Sequence, residues 1–293
     1  MALRIKRARR VSEAFKFGLP KRSRGSAMTC AVLMWAMGLA LLLGSSTARA
    51  DERMVDVQLV LAVDVSYSMD PDEQILQREG YASALVSAEF LDALRLGPHG
   101  RIAITYVEWA GVQEQRVVLG WRLIDGPESA HAFAQAIRAA PLRRIYRTSI
   151  SGALLFSADL FQDSGFKGLR NVIDVSGDGV NNQGIPVEAA RDAVVARGIT
   201  INGLPLLLKR DTLSAFDVES LDLYYEDCVI GGAGAFVIAV RETAQFARAI
   251  RTKLVLEVAG LQPRMPARLI PAATPPRVSC LVGERLWQQY RNN

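Results

Sequence analysis

From residue 55 onward the chain alternates short β-rich apolar runs with stretches whose apolar residues recur at helical spacing. Residues 57–63 (Val-Gln-Leu-Val-Leu-Ala-Val) are apolar at six of seven positions, the pattern of a strand covered on both faces. Pro71 then stands near a helix start, and Ile75, Tyr81, Leu85, Phe90 and Leu94 continue a helical pattern across 74–94. Residues 101–109 and 115–121 predict two strands joined by a short turn around Gly111, hence a hairpin. Helices are predicted over 129–139, 149–162 and 187–197, and strands over 171–175 and 200–208. A last strand at 235–240 precedes a helix running from 242 to about 253. Strands alternating with helices imply an α/β class: a doubly wound, mostly parallel central sheet with one antiparallel edge strand and helices on both faces, Rossmann-like in layering. There is no internal repeat.

The ends of the chain read differently from its middle. A basic stretch to Arg24, an apolar run over 27–44 and the string Ala48-Arg49-Ala50 stand in the order of a signal peptide, with cleavage expected after Ala50. An uncleaved anchor is the rival, because about 18 apolar residues just span a bilayer; the acidic start Asp51-Glu52 favours cleavage. The expectation is export to the periplasm or beyond, with no stable membrane span after cleavage. After residue 260, Pro263, Pro266, Pro271, Pro275 and Pro276 argue against a regular domain element. The organisation expected is therefore 1–50 signal, 51–260 domain and 261–293 Pro-rich tail lying over the domain, with 286–290 docking as a short final helix.

Export changes what the charge and cysteines mean. The net charge of +5 over 293 residues suggests a basic protein, but residues 1–50 hold ten of the 35 basic residues and one of the 30 acidic ones. The remainder has 25 against 29, a net charge of −4, which gives nucleic-acid binding little electrostatic support. Of three cysteines, Cys30 falls in the cleaved segment; Cys228 and Cys280 remain, either as one disulfide or as two separately buried thiols.

Ligands of an open parallel sheet bind beyond the carboxyl ends of its strands, and three polar clusters fall there. Asp64-Val65-Ser66-Tyr67-Ser68 follows the first strand, Thr148 opens a helix, and Ser176-Gly177-Asp178-Gly179 follows a later strand with Asn181 and Asn182 just beyond. Singly, each is ordinary turn and capping chemistry. Together they present only oxygen donors, a set for a hard divalent cation: magnesium first, with manganese or calcium as alternatives, and zinc poorly suited. His99 and His131 lie outside all three clusters and are expected at the surface.

The Asp64/Ser66/Ser68, Thr148 and Asp178 pattern resembles the metal-ion-dependent adhesion site of von Willebrand factor type A domains, and the element order resembles that fold from about residue 55 to 255. The resemblance implies that Ser66 and Ser68 bind the cation directly, Thr148 directly or through water, and that Asp64 and Asp178 hold its waters. It implies a binding protein, not an enzyme, whose partner protein offers an exposed Asp or Glu carboxylate. Two departures stand out: the last aspartate follows Ser-Gly where Thr is usual, and Asp174 lies inside its strand, as a buried hydrogen-bonded carboxylate or as a support for the site. Arg143, Arg144 and Arg147 either steer an acidic partner or form a solvated basic loop; both readings stand at this level. The enzyme alternative is a haloacid-dehalogenase-type magnesium phosphatase, which Asp64 and Gly177-Asp178-Gly179 fit superficially. That chemistry needs a general acid two residues after the nucleophile, where Ser66 stands.

Overall fold

The computed structural model describes residues 53–208, 220–261 and 277–292. Its centre is a five-stranded sheet in the order β3-β2-β1-β4-β5, formed by β1 (Arg53–Asp64), β2 (Ile102–Trp109), β3 (Gln115–Ile124), β4 (Phe166–Gly177) and β5 (Ile199–Pro205). β1 pairs in parallel with β2 and β4, and β4 with β5; β3 alone is antiparallel, returning from β2 through the turn at Gly111. The helices are α1 (Pro71–Leu85), α2 (Ala88–Arg95), α3 (Pro127–Ala139), α4 (Ile150–Asp159), α5 (Val187–Val195), α6 (Leu221–Tyr224), α7 (Phe246–Ala259) and α8 (Val282–Asn292).

β1 explains why the sheet sits between two helical layers. Its side chains alternate between faces. Leu59, Leu61 and Val63 enter a core with Tyr81, Leu85, Ile250 and Leu254, while Val60 and Ala62 enter the other with Trp109, Leu154, Ile173 and Val175. Each fully buried aliphatic side chain here contributes roughly 1.5–3 kcal/mol of transfer free energy. The pairings of Val63 with Ser176 and Asp64 with Trp109 bring the carboxyl ends of β1, β2 and β4 level, so the loops that follow share one rim.

The structure departs from the pattern reading in several places. The single helix expected over 74–94 is two, because Ser87 caps a new start by accepting from Phe90 N (3.3 Å). The strand expected at 235–240 is not a ladder. That segment runs beside β5 with isolated bridges from Gly203 to Val237 and from Leu206 to Val240. Pro205 has no N–H to donate there, and the Asn202 side chain takes one of the available donors, Phe236 N, at 3.1 Å. A helical stretch that periodicity did not reveal, α6 with a π-helical turn at Tyr225–Val229, packs under the rim. The signal segment over 1–50 and the proline cluster over 263–276 lie outside the described residues. Residues 282–292, expected as a short helix at 286–290 in an extended tail, form the full helix α8. Among the described residues no helix is long and apolar enough to cross a membrane.

Candidate metal centre

The rim is assembled by turn chemistry. Asp64 ends β1 fully buried, and its Oδ1 accepts from Ser66 N at 2.6 Å, turning the chain so that the next hydroxyls fold back over the strand end. Met69 N closes the turn on Ser66 O (3.0 Å). Asp70 then caps α1 by accepting from Glu73 N (2.8 Å), while Glu73 accepts from Asp70 N (3.0 Å). Held in this way, Ser66 Oγ and Ser68 Oγ lie 2.8 Å apart, and Ser68 Oγ donates to Asp178 Oδ1 at 2.7 Å, across 110 residues of sequence.

Thr148 comes to the same rim from a third loop. Its N–H donates to Asn182 Oδ1 (3.0 Å) and its carbonyl accepts from Asn182 N (2.9 Å), which ties the loop before α4 to the loop after β4. Asn181 completes the tie, with its Oδ1 accepting from Ser151 N at 3.0 Å. Thr148 Oγ1 lies 3.7 Å from where a side chain on Gly179 would begin. Asp64, Ser66, Ser68, Thr148 and Asp178 therefore converge. Asp174 does not join them; it lies in the core, with Lys253 Nζ at 2.7 Å. His99 and His131 are exposed and remote from the rim, His99 donating its N–H to Asp56 Oδ1 (2.8 Å).

Three residues at the rim had no readable signal in the sequence. The Tyr225 hydroxyl stands beside Gly177 and makes no hydrogen bond. Glu284 of α8 accepts from Asn181 Nδ2 at 2.7 Å, and Trp287 of α8 lies under the Arg147 guanidinium. All three come from segments far along the chain, where nothing in spacing points back to the rim. Gly177 is required by close approach: a Cβ there would stand 2.8 Å from Asp64 Oδ2 and 2.9 Å from the Tyr225 hydroxyl. Gly177→Ala is expected to lower stability by about 1–3 kcal/mol, read as a lower denaturation midpoint; an unchanged midpoint would mean that the rim yields there.

The electrostatics of the rim favour a cation. Burial, and then the charge of Asp178, push the Asp64 carboxyl well above the usual carboxylate range, only partly offset by hydrogen bonding to Ser66 and to the Asp178 backbone. Asp64 Oδ2 makes no hydrogen bond, although it is buried, and such an atom costs about 1–3 kcal/mol unless something satisfies it. Burial and the neighbouring Asp64 likewise raise the Tyr225 hydroxyl far above its ordinary value. Three hydroxyls and two carboxylates at one rim, with an orphaned carboxylate oxygen beneath, are a donor set that a hard cation satisfies. Among the described residues no group of three His, Cys, Asp or Glu comes together.

The fold has counterparts among known proteins. Proximal thread matrix protein 1 from the mussel byssus superposes with a TM-score of 0.52 at 15% identity, over 71% of this chain and 49% of that one. A form of the same mussel protein described as having a zinc-occupied MIDAS motif gives 0.49 at 14% identity, over 71% of this chain and 49% of that one. The vWF domain of the type V pili tip protein Mfa5 from Porphyromonas gingivalis gives 0.47 at 13% identity, over 73% of this chain and 98% of that one. The chain thus spans about half the length of the mussel protein, and the likeness is one of fold. No curated protein matches the sequence significantly. The fold is that of von Willebrand factor type A domains, and the sequence profile of the DUF1194 family, proteins of unknown function, matches residues 54–262. The chain belongs to that family.

Proposed function

We propose that this protein is an exported, metal-dependent protein-binding domain, an adhesion or scaffolding module and not an enzyme, which recognises an acidic group of a partner through a divalent cation. The observation that carries this reading is the convergence of Ser66, Ser68 and Asp178 in one hydrogen-bonded chain above the orphaned Asp64 Oδ2. Ser66, Ser68 and Thr148 would hold the cation through neutral oxygens, with Asp64 and Asp178 behind them. Neutral hydroxyls leave most of the cation's charge unquenched, and that charge is what attracts a carboxylate. The chain's own part is to hold the hydroxyls in place before the partner arrives, through the Asp64–Ser66 turn and the Thr148–Asn182 pair. A phosphatase reading has no support at Ser66, which engages Ser68 and cannot serve as a general acid near neutral pH.

Calorimetric titration of Mg²⁺, Mn²⁺, Ca²⁺ and Zn²⁺ into the metal-stripped protein tests the reading, with the Ser66→Ala/Ser68→Ala variant as control. Saturable binding lost in the variant is expected, with magnesium as the favoured ion. At a hundredfold excess over Kd, binding adds about 2.7 kcal/mol to stability, a rise in Tm of roughly 5–10 °C for a domain of this size. Equal heats from the two proteins would sink the proposal. The export half is checked separately: the mature chain from its native host is expected to begin at Asp51, and an intact 1–50 segment would mean an anchor instead.

A further inference from the structure

Residues 143–148 run beside the loop that carries the two serines: Ile145 N donates to Val65 O at 3.0 Å, and Ile145 bridges to Ser66. Arg144 is thereby seated on Tyr67, the residue between Ser66 and Ser68. Its guanidinium lies 4.1 Å from the centre of the Tyr67 ring, and its Nη2 donates to Tyr67 O at 2.7 Å. Tyr67 stacks in turn on Tyr146, with ring centres 4.6 Å apart, and both rings are exposed. Arg147, the residue before Thr148, holds its guanidinium 3.3 Å from the centre of the Trp287 ring of α8.

Arginine side chains at a surface are ordinarily mobile or paired. Arg138, Arg197 and Arg277 are paired with carboxylates. Arg144 and Arg147 are held instead by aromatic faces, and among the described residues neither is ion-paired with an Asp or Glu. Arg147 also takes φ 81°, the left-handed region, which is strained for a non-glycine residue. Arg147 stands next to Thr148 in a body whose net charge is −4, so with Arg144 it places positive charge beside the rim where an acidic group of a partner would approach. Planar guanidiniums already oriented by stacking are suited to carboxylates, which they bind two-pronged.

We propose that the face around the metal centre binds an acidic segment of a partner protein in which the metal-directed carboxylate is flanked by further carboxylates, received by Arg144 and Arg147 against walls formed by Tyr67, Tyr146 and Trp287. The proposal rests on the reading of the rim as a metal centre and adds the partner's chemistry to it. The family profile matches residues 54–262, so α8 and its Trp287 lie beyond the matched region.

Two fluorescent synthetic peptides test it on the purified protein at low salt: one with a single Glu among Gly and Ser, the other with that Glu flanked on both sides by Asp and Glu. In Mg²⁺ the flanked peptide is expected to bind about tenfold more tightly, the advantage shrinking as salt rises. In the Arg144→Gln/Arg147→Gly variant it should fall to about twofold or less. Glycine takes φ 81° without strain, so Arg147→Gly alone should keep or raise the Tm, which separates loss of recognition from unfolding. Equal affinity for the two peptides, or an advantage that survives in the double variant, overturns the inference and leaves the metal reading standing. Unchanged binding of the single-Glu peptide in chelator overturns the metal reading itself. A single-stranded oligonucleotide that binds as tightly as the flanked peptide overturns the inference in favour of phosphate, and no binding of any peptide overturns both.

Discussion

Replacing Lys253 with Met is expected to destabilise the protein by about 3–5 kcal/mol, the usual consequence of stranding buried charges, and to lower its Tm by roughly 10 °C or more. Lys253 is fully buried on α7. Its Nζ lies 2.7 Å from Asp174 Oδ1 on β4 and also pairs with Glu257 one turn further along the helix. Asn202 Nδ2 donates to Glu257 Oε1 (3.0 Å), and the Tyr81 hydroxyl lies 3.4 Å from Asp174 Oδ2. One buried cation thus serves two buried carboxylates, and without it both lose the counter-charge in direct contact with them. The triple change of Lys253→Met, Asp174→Asn and Glu257→Gln should recover part of the loss, since removing a whole buried ionic group is often nearly neutral where breaking it is not. A Lys253→Met protein with wild-type stability in chemical denaturation would refute this account.

The same cluster gives stability a pH dependence with a definite sign. Burial, and then the charge of Asp174, raise Glu257 from 4.5 to about 7, against the opposing pull of Lys253. A carboxyl whose folded pKa is raised binds its proton more tightly in the folded state. Its contribution is fully present below about 4.5 and is lost as pH rises through 7, a change on the order of 3 kcal/mol for a group this deeply buried. Denaturation midpoints followed from pH 4.5 to 8 should therefore carry a falling component that Glu257→Gln removes. A profile identical in the variant would place the titration elsewhere.

What the sequence made visible and what it hid follow from the range of each signal. The Asp64-x-Ser66-x-Ser68 string announces itself because turn chemistry is local, Asp64 bonding Ser66 two residues on, whereas the helix expected to open at Thr148 is capped by its neighbour Ser149, which accepts from Gly152 N at 3.1 Å. The doubly covered strand at 57–63 is legible for the same reason, since continuous apolar character needs no partner to be seen. Lys253 is the opposite case. In a helical pattern it reads as one more polar position, and only the register of α7 against β4 turns it into the centre of a buried ionic group. The break at Ser87 carries no glycine or proline, so the apolar spacing runs straight across it. Tyr225, Glu284 and Trp287 reach the rim from 47 to 109 residues beyond Asp178, a separation at which the spacing of polar and apolar positions offers no pairing information.

The bond between Cys228 and Cys280 accounts for the arrival of α8, and its loss is the other large effect expected. It closes a separation of 52 residues. On the loop-entropy account a closure of that length is worth about 4 kcal/mol, and measured removals fall at about 2–5 kcal/mol. Cys228 belongs to the π-helical turn under the rim. Around it Arg277 reinforces the junction through Asp227 Oδ1 (2.7 Å) and Glu226 Oε2 (2.5 Å), but these are partly exposed pairs worth little once the covalent link is gone. Cys228→Ser/Cys280→Ser should therefore lower the unfolding free energy by about 2–4 kcal/mol, and mild reduction of the wild-type protein should reproduce the loss. The two thiols are buried, so reduction before unfolding is expected to be slow and to accelerate with denaturant. Equal stability of the variant and the oxidised protein would mean that α8 docks by its contacts with Asn181 and Arg147 alone. Protein made where thiols stay reduced should have a loosened α8, and with it an Arg147 that has lost the ring it rests on.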